Sequence, residues 1–149
     1  MELFAQEFTI QNNQLVLPAP IVFETGSENI KAESDVTIMH IKKILEAKSY
    51  ISTLRIEVHA DNNAAEVLSQ SLSEKRALAI AKRLVKEGVD CKKLIAVGFG
   101  SSKPIAENKS PEGKAQNRGT EIHIAALRGK LIGGMPADGG GKVAGNICQ

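Results

Sequence analysis

The chain has 149 residues, a net charge of +2, no Trp, one Tyr and four Phe. A chain of this size buries one adequate core and rarely two, and with so few aromatics that core must be aliphatic. The near balance of 19 Lys and Arg against 17 Asp and Glu gives little support for a broad basic face, so nucleic-acid binding is not expected.

The opening Met1-Glu2-Leu3-Phe4-Ala5-Gln6-Glu7 has neither a basic n-region nor a long apolar h-region, so no signal peptide is visible. No run is long and apolar enough to span a bilayer, and the expectation is a soluble chain or the soluble part of something larger. Phe8-Thr9-Ile10 and Leu15-Val16-Leu17 flank Asn12-Asn13, a pattern that predicts a hairpin over 8–17 because Asn tolerates positive φ. Pro18 and Pro20 interrupt that ladder, and Ile21-Val22-Phe23 reads as a short strand stopping at Gly26-Ser27. From Ser34 to Ala47, Ile38, Ile41, Ile44 and Leu45 recur at helical spacing, with Lys42, Lys43 and Glu46 outside.

Leu54, Ile56 and Val58 alternate with Arg55, Glu57 and His59, the period of a strand with one face buried. A second amphipathic helix lies between Ala65 and Glu87 and carries Ala77, Ile80, Ala81 and Leu84. Its start is open: Ser71 and Glu74 fit a capping box, while Leu68 and Leu72 fit an earlier helical face. Gly88 stops it. Leu94-Ile95-Ala96-Val97 and Glu121-Ile122-His123-Ile124-Ala125 are the next strands. The polar segment from Gly98 to Gly119 between them reads as a long surface loop, with Gly98-Phe99-Gly100 a turn rather than a phosphate loop, because no Lys-Ser/Thr sequel follows. Gly133 to Gly141 lacks apolar periodicity and is expected to be irregular unless something holds it.

This order predicts an α/β chain: an α+β two-layer sandwich in which a mixed sheet carries helices on one face, with a βαβαβ core after an N-terminal hairpin. The expected division is an N-terminal extension at 1–19, a domain at 20–128 and a Gly-rich tail at 129–149. Cys91 and Cys148 have neither metal-ligand nor redox-motif spacing; they are either a disulfide tying the tail to the domain or two free thiols. His40, His59 and His123 are dispersed, and their spacing predicts no metal site. No cofactor is expected. No Cys/His pair, zinc set or nucleophile motif points to an enzyme.

Phe23-Glu24-Thr25-Gly26-Ser27, His59-Ala60-Asp61, Leu72-Ser73 with Arg76-Ala77, Gly88-Val89, Val97-Gly98-Phe99-Gly100, Lys103-Pro104-Ile105-Ala106 and Asn108 to Asn117-Arg118 occur in one order from about residue 20 to 126. In that order they resemble the OmpA-like C-terminal domain shared with Pal and MotB. The resemblance implies a periplasmic or outer-membrane-associated module that binds peptidoglycan without cleaving it. Its partners would be the peptidoglycan stem peptide and other envelope proteins.

The resemblance further implies that Asp61 accepts the ammonium, and Arg76 clamps the carboxylate, at the free end of diaminopimelate. A guanidinium suits that task because its planar fork makes two parallel hydrogen bonds to a carboxylate. Gly26, Asn63 and Ser69 would be neighbours of the pair. The chain departs from the family pattern at Ala60, at Asn62-Asn63-Ala64, at Ser69 and at Gly119. Those changes motivate an alternative in which the fold serves as a structural or assembly subunit with weakened or lost wall binding.

Overall fold

The computed structural model describes residues 10–11, 13–60, 66–101 and 119–148. The predicted hairpin is present within the described residues as β1 (Ile10–Gln11) and β2 (Gln14–Leu15), paired antiparallel, with Asn13 at φ 63° in the turn. The strand expected at Ile21-Val22-Phe23 does not form; Phe23 makes only an isolated bridge to Ile30. Helix-leading residues claim the backbone there instead. Ser34 Oγ accepts from Val22 N at 2.7 Å, and Thr37 Oγ1 donates to the Ala19 carbonyl at 3.0 Å.

Helix α1 (Asp35–Ala47) buries Ile38, Ile41, Ile44 and Leu45, as their spacing predicts. Strand β3 (Ile51–His59) follows, then helix α2 (Glu66–Lys86). The earlier of the two readings of the helix start is correct, yet Leu68 is 65% exposed and does not join the buried face of Ala77, Ile80, Ala81 and Leu84. At the far end Val89 N donates to Leu84 O and Gly88 N to Val85 O, closing the helix where Gly88 predicts.

Strand β4 (Leu94–Gly100) runs parallel to β3, and it includes Gly98-Phe99-Gly100, which the sequence reads as a turn. Strand β5 (Gly119–Leu127) lies antiparallel between β2 and β3. Two short strands of the tail, β6 (Lys130–Leu131) and β7 (Lys142–Val143), pair with β5 and β4. Among the described residues the sheet therefore runs β1-β2-β5-β3-β4-β7, with β6 beside β5. Leu54, Ile56 and Val58 of β3, Ala96 of β4 and Ile122 and Ile124 of β5 join the buried faces of α1 and α2 in one aliphatic core. This is the mixed α/β sandwich expected.

The second face of the sheet departs from expectation. Arg55, Glu57 and His59 alternate with the core residues and should meet water, but all three are buried. The C-terminal tail lies over Arg55 and over Phe99, the ring on which His59 stacks. A side chain at Gly139 would begin 2.6 Å from Arg55 Nε, and one at Gly141 would collide with Val97 and Phe99, so only glycine lets this backbone lie so close. Cys91 and Cys148 form the disulfide that the sequence left open, Ala144 N donates to Ala96 O at 2.8 Å, and Ile147 joins the core.

Candidate ligand-binding site

Arg76 lies on the half-buried side of α2 and reaches the turn of residues 23–30. Its Nε donates to the Ser27 carbonyl at 2.8 Å and its Nη2 to the Glu24 carbonyl at 3.4 Å, while its guanidinium carbon sits 4.8 Å from the centre of the Phe23 ring. Burial pushes the Arg76 guanidinium below its ordinary value and Glu28 partly opposes this, but an arginine remains charged throughout. A cation held over an aromatic face and against two carbonyls is oriented before any ligand arrives.

The turn that receives it is built locally. Ser27 N donates to Glu24 O, Glu24 N to Asn29 O, and Asn29 Nδ2 to the Glu24 carboxylate. Gly26 supplies the left-handed residue, at φ 68°, and leaves open space where a side chain would stand. Ser69 is buried two helical turns before Arg76 on the same face of α2. The structure thus brings Arg76 onto the turn that contains Gly26 and sets Ser69 on the same helix face. Asp61 and Asn63 lie outside the described residues.

Sequence reasoning missed what fixes the helix beside the end of β4. Gln70 Nε2 donates to the Gly98 carbonyl at 2.8 Å and to Glu74 at 3.0 Å, and Ser73 Oγ accepts from Gly100 N at 3.0 Å. The only available signal was a polar stripe at Gln70, Ser73 and Glu74, at the spacing of one helix face. At the end of β3, Ala60 N donates to Gly100 O at 2.7 Å, so β4 also aligns the residue before Asp61.

The buried polar face has its own geometry. Arg55 Nε donates to Glu57 Oε2 at 2.6 Å, and Arg55 Nη1 to the Ala137 carbonyl at 3.2 Å. His59 stacks on Phe99, with ring centres 5.0 Å apart, and turns Nε2 toward Glu57 Oε1 at 3.2 Å. Its Nδ1 is buried with no hydrogen-bond partner among the described residues. The hydrogen bond from His123 holds the Glu121 carboxyl below the usual carboxylate range, against the opposing effect of burial.

The OmpA family model matches residues 22–118. The chain belongs to the OmpA family. It is 32% identical to the probable lipoprotein YiaD of Escherichia coli over 76% of this chain and 51% of YiaD, so it spans about half of that relative. Of outer membrane porin F from Pseudomonas aeruginosa, 35% identical over 71% of this chain, it spans 30%. Among solved structures it is similar to the cell wall anchor of the type VI secretion system from P. aeruginosa, with a TM-score of 0.60 and 27% identity over 69% of this chain and 73% of that one.

Proposed function

We propose that this OmpA-family chain is a peptidoglycan-binding module that anchors an envelope component to the cell wall. In this reading Asp61 accepts the ammonium of a free diaminopimelate end and Arg76 grips its carboxylate, with Gly26, Asn63 and Ser69 around them. The observation that carries the proposal is Arg76, held half-buried on Phe23 and the Glu24–Asn29 turn with guanidinium donors beyond those the two carbonyls use. The family match includes both Asp61 and Arg76, and a solved relative is described as a cell wall anchor. A location in the periplasm or at the outer membrane follows from the same reading, with 20–128 as the binding domain between a 1–19 extension and the 129–149 tail.

The test is co-sedimentation with insoluble diaminopimelate-type peptidoglycan. Wild type is expected to pellet. Asp61→Ala and Arg76→Ala should each bind about 2 kcal/mol more weakly, roughly thirtyfold, because each leaves one charge of the ligand unpaired. Arg76→Lys should fall between, since it keeps the charge and loses the fork. Equal pelleting of all variants would overturn the site. Ala60, Asn62-Asn63-Ala64, Ser69 and Gly119 favour a second reading, an assembly subunit with this fold, and wild type that stays in the supernatant would support it. A steady loss of turbidity in the same suspension would instead indicate wall hydrolysis.

A further inference from the structure

The register of β3 against β5 sets Glu57 opposite Glu121 and Arg55 opposite His123. Because side chains alternate along a strand, Glu57, His59, Glu121 and His123 converge on the face under the tail, although they are far apart along the chain. His59 Nε2 lies 3.2 Å from Glu57 Oε1 and 3.9 Å from Glu121 Oε1. His123 Nε2 lies 3.5 Å from the same Glu57 oxygen and 3.0 Å from the same Glu121 oxygen. The four atoms form a ring in which nitrogen and oxygen alternate.

The sides of the ring run from 3.0 to 3.9 Å, on either side of the roughly 3.3 Å between neighbouring ligands of a tetrahedral zinc site, and Glu57, His59 and Glu121 bring one ligand atom each within 4.8 Å of one another. We propose that Glu57, His59 and Glu121 bind one divalent transition-metal ion of the zinc class, with His123 hydrogen-bonded to Glu121 beside them, pinning β3 to β5. An imidazole with two carboxylates suits zinc and its neighbours, with a coordination position left open, whereas calcium and magnesium take oxygen ligands.

Groups behind the ring hold its members in place. Phe99 stacks on the His59 ring, and Arg55 holds the second oxygen of Glu57 at 2.6 Å, the kind of outer support that orients metal ligands. Arg55 also adds a positive charge nearby, which weakens the site without removing a ligand atom. A cavity of about 310 Å³ lined by Asn13, Arg55, His123 and Met135 adjoins the ring on its His123 side. His123 and Glu121 keep 20% and 23% of their side chains exposed, while Glu57 is fully buried, so the ring has an outer and an inner half. Without an ion, shared protons can bridge the same atoms. Direct titration separates the two states.

The experiment is calorimetric titration of the tag-free full chain, stripped with chelator and exchanged into metal-free buffer, with zinc chloride. The expected result is one saturable site and a rise in Tm with zinc. His123→Ala and Glu121→Gln alter the partly exposed half of the ring; with circular dichroism unchanged, each should weaken binding at least about tenfold, the scale at which even outer-shell partners act. His40→Gln, on α1, should bind as wild type does. Absence of a saturable site in the wild type, or equal affinity in both ring variants, would overturn the proposal. Should the ring variants misfold, cobalt titration of the wild type decides: a tetrahedral absorption spectrum supports the site, and an unchanged spectrum rejects it.

Discussion

The double variant Cys91→Ser/Cys148→Ser is expected to lose about 4 kcal/mol of stability relative to the oxidised chain. The bond closes a loop with a sequence separation of 57 residues, and the chain-entropy account of cross-linking assigns a loop of that length about 4 kcal/mol, most of it through the unfolded state. That is a large share of the roughly 5–15 kcal/mol by which domains are stable. The native contacts of the tail should loosen as well, since β7 has only two residues and Ile147 reaches the core next to the bond. Guanidinium denaturation of the oxidised wild type and the double variant measures the first effect. Hydrogen exchange at residues 142–147 measures the second. Coincident denaturation curves would contradict the assignment of the bond as a structural clamp.

Glu57→Leu in chelator-treated protein should cost about 3–5 kcal/mol, the scale for removing one partner of a buried ion pair. The variant strands the Arg55 guanidinium with the Ala137 carbonyl and the sulfur of Met135 as its contacts from the tail, and it removes the carboxylate that His59 and His123 share. Adding Arg55→Met should recover much of the loss, because the uncompensated charge leaves with it. Urea denaturation of the wild type, both single variants and the pair supplies the cycle. A double variant as unstable as the sum of the singles would mean that the pair acts through packing alone.

The elements that the sequence announces most clearly are those in which one side chain in two, or one in three or four, must be apolar. Ile38, Ile41, Ile44 and Leu45 define α1, and Leu54, Ile56 and Val58 define β3, because each set packs into the same core. Ile21-Val22-Phe23 misleads because its backbone groups bond to Ser34 and to the end of the turn, partners that local composition does not disclose. Gly98-Phe99-Gly100 has turn composition but lies in β4. A Cβ at Gly98 would sit 2.6 Å from Glu74 Cγ, so that glycine serves the approach of α2. The tail has no apolar period, and its order comes from a disulfide, short backbone pairings and the Arg55 contact. In the candidate site, Arg76 is legible through its motif. The carbonyls of Glu24 and Ser27 that orient it are not, since main-chain acceptors carry no residue signature.

The short pairing of β7 with β4 also decides where the sheet ends among the described residues. With Val97 opposite Val143 and Gly98 opposite Lys142, the tail occupies hydrogen-bonding groups on the open side of β4, whose run Leu94–Gly100 is almost wholly apolar. A bare apolar edge of that kind recruits strands from other molecules. By lying there, Lys142 and Val143 place a lysine at the rim and close the described ladder with a two-residue strand, a geometry that offers neighbouring copies little to extend.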